Sequence, residues 1–396
     1  MAPQGFNVLI VGAGITGLLL AQTLKAIGIR FRIFESEVSA VRYRPREWAV
    51  AIHWALPMLR EVLPQDLWHR LKDTQTDPLQ LASNSDYISV YNSGTGKLLK
   101  KLPGVGMRRF SRRKLRALCS EGIAIEYNKT LTEIVYQNER GVTAKFGDGT
   151  ECSGDILIGC DGAHSKVRNL LFGEASAKPV SSGVSQFSAS FSFSSAAFAD
   201  YMRRGIPLSS VGLNPSGVYL LIYLLETPEP ASPETWIFQI NWSWLGPHDP
   251  SLDDAGRLAK IKSMADTFSE PFRSICLGIP GDTRIYADSL HYWVPRLWTP
   301  NRGRVTLAGD AAHPMLQHRG QGINNCIRDV LELANAMKLG QQDDLGLMDV
   351  ISSYDREMIS RGEVEVQSSV KDALLLHTWH KAMESPFMKM SVGPRF

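Results

Sequence analysis

At 396 residues and 43.9 kDa the chain is longer than one hydrophobic core usually organises, which implies two or three domains. Hydrophobic residues at 44% and charged residues at 21% exclude a mostly disordered chain. The balance of 43 Lys and Arg against 40 Asp and Glu, a net charge of +3, excludes nucleic acid or an anionic membrane as the main partner.

The first apolar stretch, Phe6 to Leu24, is similar to a secretory signal, but no basic segment precedes it and Gly12, Gly14 and Gly17 interrupt it. No other stretch approaches about 18 uninterrupted apolar residues, so no transmembrane segment is expected and the chain reads as cytoplasmic. Phe6 to Val11 forms a buried-type strand, Ile15 to about Ile27 a helix stopped by Gly28, and Arg30 to Phe34 a second strand, together one βαβ unit. Tyr87 to Val90 and Lys97 to Lys101 flank Ser93-Gly-Thr-Gly96 as a hairpin, and Ser111 caps a helix running through Cys119. Gly141 to Phe146 leads into Gly147-Asp-Gly149, a second hairpin signal, and Asp155 to Gly159 is again a buried-type strand.

The middle of the chain changes period. Ser188, Ser190 and Ser192 alternate with Phe187, Ala189 and Phe191, and Val218 to Leu225 and Trp236 to Trp244 are two further strands around a proline-rich turn. Arg304 to Ala308 returns to the buried-strand type, with helices from Gly322 to Leu339 and from Met348 to His380. The five cysteines, Cys119, Cys152, Cys160, Cys276 and Cys326, contain no CxxC pair and read as reduced thiols, so no metal site is expected.

Three motifs carry chemistry. Gly12-Ala13-Gly14-Ile-Thr-Gly17 lies between a strand and a helix, with Glu35 at the end of the next strand. In this arrangement Gly12 permits the turn, Gly14 admits a pyrophosphate, Gly17 lets the helix pack close, and Glu35 accepts from a ribose hydroxyl. That motif alone does not separate FAD from NAD. Asp161-Gly-Ala-His-Ser165 with Arg168 follows a strand, where the plainer alternative is a capped helix with a surface arginine. Gly309-Asp310-Ala-Ala-His-Pro314 ends another strand, and Arg319-Gly320-Gln-Gly322-Ile323 opens a helix whose N–H groups can face an electron-rich ligand.

Taken together, these three motifs resemble those of the single-component, group A FAD-dependent aromatic monooxygenases, which share the p-hydroxybenzoate hydroxylase fold; secondary-metabolite tailoring members are the most similar. The resemblance implies a mixed α/β fold: a Rossmann-type FAD-binding domain, an inserted antiparallel-sheet substrate domain and a C-terminal helix. The boundaries expected are 1–80, 105–175 and 285–345 for the FAD domain, 81–104 and 176–284 for the substrate sheet, and 346–396 for the C-terminal helical segment. It further implies that FAD is bound by Gly12, Ala13, Gly14, Gly17, Glu35, Arg112, Asp161, Asp310, Gly320, Gly322 and Ile323. Arg44 and Arg46 lie in a loop where the family places an arginine near the cofactor; for Arg46 a cofactor contact and a solvated position stay open.

The reaction implied uses NAD(P)H as a transient reductant and O₂, and hydroxylates or epoxidises an electron-rich aromatic, polyketide or alkaloid-type molecule through a flavin C4a-hydroperoxide. A flavin dehydrogenase or halogenase and a non-catalytic flavin protein are the alternatives. No catalytic base is assigned. His53, Tyr219, Tyr223 and Gln239, with Asn241, are pocket candidates, each of which equally suits a packed or solvated position. Two departures stand out. Many members carry a second proline after Pro314, where this chain has Met315-Leu-Gln-His. Trp242-Ser-Trp244-Leu-Gly-Pro247 is similar to a flavin-halogenase motif but lacks its Ile-Pro ending, and packing on one strand face is the expected reason.

Overall fold

Short runs of Val, Ile and Leu with no polar alternation make strands that need cover on both faces, and the chain supplies it with helices. In the computed structural model, which describes residues 6–40, 46–78, 87–104, 106–137, 141–206, 209–298, 304–342 and 346–389, these runs form a five-stranded parallel sheet. Its order is Val305–Leu307, Ile156–Gly159, Asn7–Val11, Arg30–Phe34, Ile125–Glu126. Helix Ile15–Ala26 covers one face with a nearly all-apolar surface, and Leu18, Leu19, Leu20 and Leu24 are fully buried there. Helix Gly322–Gln342 packs beside it, and the thirty-residue helix Leu347–Leu376 packs against that helix in turn. A three-stranded antiparallel sheet, Leu131–Tyr136, Val142–Phe146 and Glu151–Gly154, flanks the parallel one.

The period-two segments form a separate seven-stranded sheet. Its order is Ile285–Tyr292, Val180–Ser192, Ile237–Leu245, Tyr219–Glu226, Ser210–Leu213, Tyr87–Asn92, Leu98–Pro103, antiparallel except where Ser210–Leu213 meets Tyr87–Asn92. One face carries Phe187, Leu220, Ile222, Phe238, Ile240 and Trp242, all fully buried, in a core of their own. Trp242 and Trp244 share that face, with Trp244 edge-on to Phe187 at 4.8 Å, so packing accounts for the pair.

Two expectations change. Ile285–Tyr292 is an edge strand of this sheet, so the sheet's share of the chain runs past the expected boundary at 284 and the parallel sheet resumes only at Val305. The final helix ends at Leu376, short of His380, and short turns at Trp379–Glu384 and Pro386–Lys389 fold the segment back onto the large sheet.

Candidate active site

The glycines of the first motif divide into two kinds. Gly12 has φ +104°, and a Cβ there would stand 2.5 Å from the Cys160 carbonyl oxygen; a Cβ on Gly17 would stand 2.0 Å from the Gly12 oxygen. Both positions are filled by the protein's own backbone. A Cβ on Gly14, by contrast, meets nothing within 4 Å. Gly162 and Gly320 are equally open, and a Cβ on Gly322 would meet only Asp310 Oδ1 at 3.9 Å. These four glycines line one cavity of about 670 Å³, within the range of ligand-sized pockets. The helices Ile15–Ala26 and Gly322–Gln342 both begin on it and turn their unsatisfied N–H groups toward it.

The loops around the open glycines are held from behind. Arg168 is completely buried and is no surface arginine: it donates to the carbonyl oxygens of Ala177 at 3.0 Å, Ala311 at 2.9 Å and Ala163, which ties the second motif to the third. Burial lowers its pKa to about 10, so it remains a cation at neutral pH. Asp161 accepts from Ser165 Oγ at 2.5 Å and from the Lys166 and Val167 N–H groups, which caps the helix Lys166–Phe172. Behind Asp310, the fully buried Asp329 accepts from the Gly309 N–H and from His313 Nε2, both at 2.7 Å, and from Arg361. The neighbouring His313 and Arg361 hold the Asp329 carboxyl down at about 2 against its burial.

Asp310 stands on the cavity wall, deep in the protein but with open space before its carboxylate. Desolvation raises its pKa, and His313, Arg112 and Arg168 pull it back. Arg112 lies on the same wall over the Trp48 ring at 4.5 Å, at the start of the helix Arg112–Ser120 that Ser111 Oγ caps. His53 and Ile323 also face the cavity; burial depresses the His53 pKa to about 4, so its ring is neutral. Gly12, Ala13, Gly17, Glu35 and Asp161 are not on the cavity wall. Glu35 Oε2 accepts from the Ala13 N–H at 2.8 Å and Oε1 from the Glu37 N–H at 3.0 Å, so in the structure Glu35 braces the glycine turn. Arg46 reaches the cavity, yet its guanidinium is claimed by Asp288 at 2.6 and 2.9 Å and by Ser188 Oγ at 2.6 Å. Arg44 lies outside the described residues.

The other end of the cavity is the second face of the large sheet. Cross-strand register builds rows across it: Ser190, Gln239 and Tyr223; Ser188, Asn241 and Leu221; Gln186, Ser243 and Tyr219. Tyr219, Tyr223, Gln239 and Asn241 are thus all brought onto the cavity wall. Gln239 Nε2 donates to Asn241 Oδ1 at 3.0 Å, and Ser190 Oγ donates to Gln239 Oε1. Sequence reasoning missed Arg109, Gln186, His318 and Phe387, which also line this end. Gln186 was readable from the same alternation as Ser188; the other three lie in segments with no periodic signal.

The FAD binding domain family matches residues 289–367. Over 391 residues the chain is 37% identical to the FAD-dependent monooxygenase phnB of Penicillium herquei, a match that covers 98% of this chain and 95% of that protein. The chain belongs to the FAD-dependent monooxygenases. The monooxygenase is also 35% identical over 390 residues to the FAD-dependent monooxygenase cctM of Talaromyces islandicus, with 98% and 97% coverage. In fold it is similar to Klebsiella pneumoniae HpxO, solved with FAD and uric acid: TM-score 0.77 at 18% identity, over 98% of this chain and 93% of that one. The open glycines, the two helix starts and the Asp310 carboxylate fit FAD: small N–H-rich surfaces for its phosphates and ring edge, and an acceptor for its ribityl hydroxyls. Among the described residues no group of three His, Cys, Asp or Glu is placed to hold a metal, and no helix is long and apolar enough to cross a membrane.

Proposed function

We propose that this monooxygenase takes electrons from NAD(P)H and places one oxygen atom of O₂ on a flat, electron-rich small molecule, by hydroxylation or epoxidation. The observation that carries this reading is one continuous cavity with two unlike ends, glycine backbone and Asp310 at one and an aromatic and amide sheet face at the other. Bound FAD supplies reduction by the pyridine nucleotide and activation of O₂. The chain binds, orients and excludes water. Gly14 and the start of Ile15–Ala26 receive the pyrophosphate, Asp310 the ribityl chain, and the N–H groups of Gly322 and Ile323 the ring edge, with Arg112 on the adjoining wall. Ile88, Leu102, Val211, Leu221 and Leu290 give the substrate end apolar walls, which suits a polyketide- or alkaloid-type skeleton of secondary metabolism.

The test is turnover under ¹⁸O₂ with NADPH and a panel of aromatic metabolites, read by mass spectrometry with parallel peroxide determination. One ¹⁸O in the product is expected. Product without label, or with oxygen drawn from labelled water, overturns the reading.

A further inference from the structure

We propose that Phe387 closes the sheet end of the cavity and sets the longest fused-ring substrate that the enzyme admits. The inference rests on the reading of the sheet face as the substrate end and names the residue that limits its reach. Among the described residues on the cavity wall, Phe387 alone comes from the chain beyond Cys326. After the helix Leu347–Leu376 the chain turns back through Trp379–Glu384 and Pro386–Lys389 and packs on the strands Tyr87–Asn92, Leu98–Pro103 and Ser210–Leu213. There Phe387, 5% exposed, shares an apolar cluster with Val90, Leu102, Val211 and Tyr219. Leu102, Val211 and Tyr219 also line the cavity, so the Phe387 ring is set where the sheet wall meets this returning segment.

Three polar contacts hold the segment in place. The Phe387 N–H donates to Asp372 Oδ1 at 2.7 Å, the Met388 N–H to Ser385 Oγ at 3.1 Å, and Lys100 Nζ to the Met388 carbonyl oxygen. Asp372 and Ser385 are fully buried, and Asp372 Oδ2 stands 3.0 Å from Arg319 Nε, at the head of the Arg319-Gly-Gln-Gly322 turn. An N–H bound to a buried, ion-paired carboxylate makes a strong, charge-assisted bond, so the backbone at Phe387 resists displacement by a longer ligand. With the backbone anchored, the room at this end depends on the size of the side chain. A phenyl ring there is a stop: shortening it lengthens the cavity by about the space of one ring. Met388 supplies the internal comparison, since it is 2% exposed, belongs to the same cluster and is not on the cavity wall.

The experiment is equilibrium dialysis of the FAD-loaded protein against phenol, 2-naphthol, 2-anthrol and 1-hydroxypyrene, a series of growing ring systems. The readout is the ratio of affinities for the longer and shorter ligands. Phe387→Ala is expected to move that ratio about tenfold toward the longer ligands, and Phe387→Trp to move it the other way, with FAD content unchanged. Met388→Ala should lower the melting temperature and leave the ratio where it is in the parent. If Phe387→Ala fails to fold, Phe387→Leu and Phe387→Trp carry the decision, the leucine giving a smaller shift in the same direction. A ratio unmoved in the folded Phe387 variants, or moved equally by Met388→Ala, overturns the proposal. Ligands that bind with an unmoved ratio leave the sheet end standing as the substrate site and remove only the role of Phe387. Failure of all four to bind parent and variants alike overturns both the site and the proposal.

Discussion

At the glycine end the cavity wall is backbone, shaped by absent side chains and braced from behind; at the sheet end it is side chain, three cross-strand rows on a sheet whose far face has its own apolar core. The first construction needs particular residues, because a Cβ at Gly12 or Gly17 would overlap main-chain atoms and one buried guanidinium, that of Arg168, gathers carbonyls from separate loops. The second needs only a register, so its inward residues can change while the sheet stays.

The largest test of this contrast is Gly17→Val. With a Cβ placed 2.0 Å from the Gly12 oxygen, the variant should lose about 4 kcal/mol or fail to accumulate as folded protein. Gly322→Val, whose Cβ meets only Asp310 Oδ1 at 3.9 Å, should melt like the parent yet bind FAD poorly or leak peroxide. Denaturant melts beside FAD titration compare them, and equal loss of stability in both would erase the distinction.

Arg168→Met comes next. It leaves the buried carbonyls of Ala177 and Ala311, and the half-buried one of Ala163, without the Arg168 donor and should cost about 3 kcal/mol. A change below about 1 kcal/mol in urea melts would show that the brace is dispensable.

A third test lies behind the parallel sheet, at Asp355, which accepts from Thr306 Oγ1 and is pushed by burial from 3.8 up to about 7. The folded chain thus binds this proton more tightly than the unfolded one. Its contribution is fully present below about pH 4 and is lost as pH rises through 7, at up to about 1.4 kcal/mol per unit between them. Asp355→Asn keeps the neutral form, so the variant should gain on the parent as pH climbs from about 5 to about 8. A stability difference that stays flat across that window contradicts the assignment.

The smallest effect on folding belongs to the substrate face. Asn241→Leu removes the acceptor of Gln239 Nε2 but leaves the Trp242 side of the strand packed, and it should cost about 1 kcal/mol. Substrate KM, with FAD content held, is where it should register.

The same contrast explains what the sequence discloses. The Gly12–Gly17 turn, the strand before Asp161 and the strand before Asp310 are legible because backbone constraints dictate residue types at fixed spacings. Glu35 was legible as the acidic residue that ends the second strand, expected to accept from a ribose hydroxyl, while its visible contact is the Ala13 N–H. Period-two alternation put Tyr219 with Tyr223 and Gln239 with Asn241, but which face meets the cavity depends on pairings such as Tyr223 opposite Gln239. Arg109 and His318 stayed hidden for another reason: one sits in a run of basic residues, the other in a turn, and only tertiary packing turns them inward.

The outer strand of the parallel sheet, Val305–Leu307, has a consequence for how the protein is made. Its neighbours come from residues before 160, while the large sheet is complete in sequence at Tyr292. On the ribosome the substrate face is therefore synthesised whole before the cofactor seat, which waits for Asp310 and the start of the Gly322–Gln342 helix. A nascent chain halted between these points would carry a finished sheet with an unsealed edge on its nucleotide fold. FAD supply during expression should accordingly govern the yield of folded protein late in synthesis and after release, with little effect on its early steps.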